Sequence, residues 1–189
     1  MRLTRRKAIV LAAAAPAALA ASAKGTPPIT DAIEKTELTA KNVAVIRAQN
    51  DALNKGDINS AVQYLAEDTR NHGVPVGRKG LVRVLTDILG TFPDWNMQIE
   101  DVAAIDDDVV IRCIVTGTHK GVGKIPVNGG LLVGVPPTGK RFKVQHIHWY
   151  TLKDGLIVEH RASRDDIGMM QQLGLLSAAK RYDLPDPSK

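Results

Sequence analysis

From Thr39 onward the chain carries two hydrophobic rhythms, and the switch between them divides it into a helical half and an extended half. Thr39 to Asn54, Asp57 to Glu67 and Arg78 to Thr91 read as helices. In the second, Ile58, Ala61, Val62 and Leu65 fall at i, i+3, i+4 and i+7 behind an Asp57 N-cap. In the third, Leu81, Val84, Leu85, Ile88 and Leu89 repeat that spacing, so each helix presents an apolar stripe that needs a surface to cover. Thr69 to Val76 is polar and holds Gly73 and Pro75, which predicts a brief edge strand bearing Asn71 and His72. Beyond Phe92-Pro93-Asp94 the period drops to two. Trp95 to Ile105 and Val109 to His119, joined by Asp106-Asp107-Asp108, predict one strand pair, and Lys140 to Tyr150 with Leu156 to Asp165 predict another. Asp166 to Leu173 reads as a closing helix stopped by Gly174. Helices first and hairpin-linked strands afterwards predict an α+β domain, with three N-terminal helices covering one face of a curved antiparallel sheet around a concave interior.

The last strand pair allows a register to be counted. Asp154-Gly155 favours a two-residue type I′ turn, whose central positions need φ > 0. Pairing Lys153 with Leu156 then sets Tyr150 opposite Glu159, His148 opposite Arg161, His146 opposite Ser163 and Val144 opposite Asp165, all on one face. The other face carries Ile147, Trp149, Val158 and Ala162, with Gln145 and His160 as its polar members. So many titratable groups on one hairpin predict a polar-lined pocket, although a solvated sheet face would read the same way.

Composition matters only once a leader is removed. Arg2, Arg5, Arg6 and Lys7, the apolar run Ile9 to Ala20 and the small-residue site Ala21-Ser22-Ala23 predict a cleaved export signal over residues 1–23, too short in its apolar part to span a bilayer. Thr4-Arg5-Arg6-Lys7-Ala8-Ile9 is similar to a twin-arginine motif with Ala8 in place of Phe, so that route and ordinary secretion, periplasmic or extracellular, both stay open. Four of the 25 basic residues and none of the 20 acidic ones precede Lys24, leaving 21 against 20. A mature chain near neutrality has no electrostatic case for nucleic acid or membrane as partner. Cys113, the single cysteine, lies in the apolar run Val109 to Val115 and reads as a buried small hydrophobe. Beyond the leader the chain suits a flexible tether over 24–38, one domain over 39–176 and a tail over 177–189. Within the domain, Lys120 to Gly139 holds six glycines and three prolines, too long for a tight hairpin, and predicts either a functional flap or a mobile loop.

Five segments in order carry a resemblance: Phe92-Pro93-Asp94, Thr116-Gly-Thr-His119-Lys-Gly121, Pro136-Pro-Thr-Gly-Lys140, Asp154-Gly-Leu-Ile-Val-Glu-His160, and Asp165-Asp166-Ile-Gly-Met-Met-Gln-Gln-Leu-Gly174. From Asn71 to Gly174 the chain resembles the SnoaL-like polyketide cyclases, the "ester cyclases" of the nuclear transport factor 2-like superfamily. The resemblance implies a cone-shaped α+β barrel, usually a homodimer, whose cavity holds a small hydrophobic molecule with no metal or organic cofactor. It also implies that Asp165 stands where the cyclases place an aspartate as acid/base for intramolecular aldol ring closure, and that His72 and His119 face the cavity. Arg161 stands where the family commonly has Trp, which predicts a more polar pocket, and the glycine-rich insert and export signal depart from a cytoplasmic polyketide enzyme.

Abstracting a proton next to a carbonyl needs a base and a donor for the developing enolate oxygen. Asp165 is a candidate base, with His146, His148 or Tyr150 as donors; an apolar cavity would strengthen the aspartate, whereas Arg161 beside it would lower its pKa. Asp165 or Asp166 can equally be only the cap of the closing helix, and Trp149, like Trp95, can be core or a substrate platform. Three classes of function remain: a cofactor-independent cyclase or isomerase using Asp165, His146 and His148 with His72, Tyr150, Arg161, His119 and Trp149 around the substrate; a non-catalytic exported binding protein with the same cavity; and a metal-dependent hydrolase on His146 and His148, for which no third ligand is set by spacing.

Overall fold

The computed structural model describes residues 29–126 and 130–176; the expected leader over 1–23, the start of the tether and the tail over 177–189 lie outside the described residues. The elements run α1 (Ile29–Asn54), α2 (Ile58–Ala61) continuing into a 3-10 turn (Val62–Tyr64), β1 (Leu65–Asn71), β2 (Val74–Pro75), α3 (Gly77–Thr91), β3 (Asn96–Ile105), β4 (Asp108–Thr118), β5 (Arg141–Lys153), β6 (Leu156–Arg164) and α4 (Asp166–Gln172). The six strands form one curved open sheet in the order β2-β1-β6-β5-β4-β3. Helices before strands gave an α+β expectation, and that is the architecture.

Two boundaries differ from the sequence reading. Helix α1 begins at Ile29, not at Thr39, so the stretch expected as tether is helical from there on. The second helix ends after one turn. Asp57 does cap it, accepting from Ser60 N at 3.0 Å, but the chain turns extended at Leu65 and forms β1. The physical reason is that Ala61, Val62, Leu65 and Ala66 are all buried, and a 3-10 turn running into a strand buries them as well as a helix would. β1 then pairs parallel with β6, the one parallel contact in an otherwise antiparallel sheet, setting Asn71 beside His160.

The buried face of α1 mixes Ile46 and Leu53 with Asn42, Gln49 and Asn50. Asparagines of this helix hold the sheet edge. Asn50 Nδ2 and Asn54 Nδ2 each donate to Met97 O at 3.0 Å, and Met97 N donates to Asn54 Oδ1 at 2.7 Å, while Asn42 Nδ2 caps the β3–β4 turn at Asp106 O. Edge strand β3 thus has its open backbone groups covered from the helix side at Met97. In β4 and β5 the alternation is complete: Val109, Ile111, Cys113 and Val115 face inward, as do Phe142, Val144, His146, His148, Tyr150 and Leu152. Burial pushes the Cys113 thiol up to about 11, which keeps it a packed, unreactive group.

The glycine-rich segment is built into the fold on both sides of residues 127–129. Lys120 N and Gly121 N donate to Thr91 O, and the Asp87 carboxylate accepts from Lys124 N and Ile125 N at 3.0 Å. Gly121 is needed because a Cβ there would run into the Gly90 backbone, whose carbonyl carbon lies 2.8 Å away. Gly123, Ile125, Pro126 and Leu132 thereby become one wall of the interior cavity.

Candidate functional site

The inner face of the sheet, α3 and the flap enclose a cavity of about 410 Å³, within the range of small-molecule sites. Leu53, Leu81, Leu85, Ile88, Phe92 and Met97 make an apolar body, and Trp95 adds an aromatic wall. The polar end is formed by Asn71, His72, His146, His148, Tyr150, His160 and Arg164, gathered from β1, the β1–β2 turn, β5 and β6.

His160 and Arg164 reach this end through a β-bulge. The Asp154-Gly155 turn is present with φ of 51° and 74°, and Lys153 pairs with Leu156, as does Leu152 with Ile157. Val158 is then the extra residue, so that Thr151 pairs with Glu159, Tyr150 with His160, His148 with Ala162 and His146 with Arg164. Every counted pairing beyond the bulge is therefore off by one. His160, Ala162 and Arg164 turn inward, whereas Glu159, Arg161, Ser163 and Asp165 leave the inner face. A one-residue insertion exchanges the two faces of a strand, which is why the correction is total and not local.

The candidate residues sort accordingly. His146, His148 and Tyr150 are buried and line the cavity; His72, in an exposed left-handed turn position with φ of 52°, lines its rim and accepts from Ala162 N through Nε2. Arg161 lies outside the cavity, with Glu159 as its salt-bridge partner at 3.7 Å. Trp149, 47% exposed, and Ile147 sit on the outer face of β5, neither core nor cavity. His119 is fully buried but elsewhere: its Nδ1 accepts from Thr138 N at 3.3 Å and its ring packs on Phe92, tying the flap's end to the core. Asp165 is exposed, with its N–H on Gln145 O, and caps α4 by accepting from Gly168 N at 2.8 Å. Of the two acids, it is Asp165 that caps.

Three residues at the polar end make a directed chain. Asn71 Oδ1 lies 2.9 Å from His160 Nδ1, and His160 Nε2 lies 2.9 Å from His148 Nδ1. An amide oxygen only accepts, so His160 carries its proton on Nδ1. A neutral His160 then has a bare Nε2, which accepts from His148 Nδ1–H, and the lone pair of His148 is left on Nε2. That atom is buried and has no protein partner. Burial is the main reason all three inner histidines stay neutral: it drives His148 well below 6.5, His146 to about 4 and His160 to about 3, with Arg164 adding to each effect. Burial likewise keeps the Tyr150 phenol protonated. Among the described residues no group of three or more His, Cys, Asp or Glu is placed to hold a metal ion.

His160, Asn71 and Arg164 were absent from the candidates read in the sequence. Asn71-His72 and Glu159-His160 were visible as motifs, but only the parallel β1–β6 pairing and the bulge bring them to one point.

The comparisons with known proteins agree with this architecture. The chain is 27% identical to nogalonic acid methyl ester cyclase of Streptomyces nogalater over 128 residues, which is 65% of this chain and 90% of that enzyme. Over a shorter stretch of 45 residues it is 47% identical to aklanonic acid methyl ester cyclase DnrD of Streptomyces peucetius, covering 24% of this chain and 31% of that one. Among solved structures it superposes on IdmH of Streptomyces antibioticus with a TM-score of 0.58 at 30% identity, over 70% of this chain and 98% of the other. TsrD of Streptomyces laurentii gives a TM-score of 0.62 at 26% identity, over 72% and 97%. With the SnoaL-like polyketide cyclase model matching residues 43–173, from the middle of α1 to the end of α4, the chain belongs to the SnoaL-like polyketide cyclase family.

Proposed function

We propose that this protein is a cofactor-independent cyclase-type enzyme, in which His148 is the acid/base group for a small hydrophobic carbonyl compound held in the cavity. The observation that carries the reading is the bare, unpartnered Nε2 of His148 at the cavity's polar end, its tautomer set by His160 and Asn71. In the proposed cycle Nε2 takes a proton from the carbon next to a carbonyl, and Tyr150 donates its hydroxyl proton in a hydrogen bond to the developing enolate oxygen. The carbanion attacks a second carbonyl carbon of the same molecule, closing a ring with one new C–C bond, and the resulting alkoxide recovers the proton from His148. Burial makes His148 a weak base towards bulk water, yet transfer inside the cavity creates an imidazolium and an enolate side by side. No net charge is added, and in a low dielectric that pair attracts strongly. Asp165 supports the site from outside by capping α4 and by its field on His146, which it favours in the protonated form. Export through the leader over 1–23 belongs to the same proposal.

The test is carbon-acid exchange. β-Tetralone, a bicyclic ketone smaller than the cavity, is incubated in D2O with the protein and followed by proton NMR. Exchange of the α-protons above the buffer rate supports the reading; binding of the ketone without accelerated exchange supports instead a carrier that uses the same cavity.

A homodimer is proposed on the outer sheet face. Ile147 and Trp149 expose apolar surface in the middle of β5, and a second copy of the same face is the occupant that a two-fold axis would bring. Trp149→Glu should convert a dimer to a monomer in sedimentation velocity with the fold unchanged by circular dichroism; a wild-type chain that sediments as a monomer refutes the proposal.

A further inference from the structure

Arg164 has no assigned role in the chemistry above, and its setting is unusual. The guanidinium lines the cavity, at the end where His146, His148 and His160 are all within reach of its field. Its ionic partner among the described residues is Asp166, whose Oδ2 lies 3.5 Å from Nε, a long contact that leaves Arg164 Nε and Asp166 Oδ1 buried and poorly matched. Apart from Asp166, no described residue is paired with its guanidinium. Asp87, the acidic residue in the lining, is turned to the flap, where Lys124 N and Ile125 N occupy its carboxylate. The cavity therefore has an apolar body, three neutral inner histidines and one cation, Arg164, held only by a long contact to Asp166. A guanidinium is a planar fork that matches a carboxylate by two parallel hydrogen bonds, and the match is strongest where water is excluded.

We propose that Arg164 is a carboxylate-binding residue, so that the cavity's natural ligand is a hydrophobic acid whose anionic end sits on Arg164 and whose body lies along Leu85, Ile88 and Trp95. The inference rests on the cavity being the ligand site, as in the function proposed above, but not on His148 acting as a base. It also separates the charged end of the ligand from the carbon that reacts, since Arg164 pairs across the sheet with His146 and His148 is the next inward residue along β5.

The experiment is isothermal titration calorimetry at pH 7 with a matched trio of probes: naphthoate, naphthamide and methyl naphthoate. The wild-type protein is expected to bind the carboxylate at least about tenfold more tightly than the amide or the ester. Arg164→Met should abolish that preference while leaving amide affinity within about twofold, and Arg164→Lys should retain part of it, as a point charge without the fork. Equal affinity for the three probes in the wild type, or a carboxylate preference that survives Arg164→Met, overturns the proposal. Should Arg164→Met not fold, the wild-type ranking and the Arg164→Lys comparison still decide it. A carboxylate preference without ketone exchange would leave this proposal standing and remove the acid/base reading, so the two failures are distinguishable.

Discussion

Replacing His148 by glutamine is expected to lower α-proton exchange on β-tetralone by about 10² to 10⁴, the usual range for loss of a positioned general base. Glutamine keeps a polar side chain of similar reach on β5 but has no lone pair of imidazole basicity to offer at Nε2. A comparable loss of affinity is not expected, because the apolar wall that holds the ketone is untouched. Asp165→Asn separates this base from the aspartate that the family resemblance points to. Asparagine remains a good N-cap for α4, so stability should hold and exchange should fall by less than about threefold. If Asp165→Asn abolished exchange and His148→Gln spared it, the assignment would be reversed. Asn71 offers a sharper check on the directed chain. Asn71→Leu removes the acceptor that sets the His160 tautomer and should cost roughly tenfold, about one hydrogen bond's worth. Asn71→Asp keeps the acceptor and adds a charge beside His160 Nδ1, so activity should persist with its acidic limb moved to higher pH.

How much of this was legible in the sequence depends on which interactions were local. The Asp154-Gly155 turn and the pairing of Lys153 with Leu156 were readable because a type I′ turn is specified by its own two residues. The extra residue at Val158 was not. A bulge is accommodated by the twist of the sheet and by the strand on the far side, here β1, and nothing in Leu156 to Arg164 distinguishes a bulged strand from a regular one. Alternation then carried the error along the strand, placing His160 outside and Arg161 inside when the reverse holds. Residues on β5 were assigned the right face throughout, since its inward set from Phe142 to Leu152 is uninterrupted. The second helix shows another limit: a spacing of i, i+3, i+4 and i+7 correctly picked out Ala61, Val62 and Leu65 as buried but not the backbone that buries them. His119, which the family resemblance aimed at the cavity, lies buried outside its lining, under a flap tied down by Asp87 and Thr91 through contacts too distant in sequence to be counted.

Acid should unfold this protein early and steeply. Burial holds His146 at about 4, His160 at about 3 and His148 well below 6.5 in the folded chain, while all three return to about 6.5 on unfolding. Above pH 6.5 they are neutral in both states and the stability is complete. Below it the unfolded chain binds protons that the folded chain refuses, so stability falls as pH drops, for His146 down to about 4 and for His160 down to about 3. Each such proton is worth about 1.4 kcal/mol per pH unit, and three together about 4, against a total of roughly 5–15 kcal/mol for a domain of this kind. Asp166, held above its usual value by burial, offsets part of the loss, and Asp57 and Asp94, whose values folding lowers, act only below 3.8. Urea denaturation at pH 7, 6 and 5 should therefore show the unfolding free energy dropping by several kcal/mol, and His160→Asn should shallow the slope by about one proton. A stability flat from pH 7 to 5 would mean that the histidines are hydrated in the folded state, and with them the polar end of the cavity. Asn71→Asp joins this prediction to the first. By raising the pKa of His160 it should reduce the acid loss of stability while moving the acidic limb of activity upward. One cause then shifts two observables in opposite senses, which a merely loosened fold would not do.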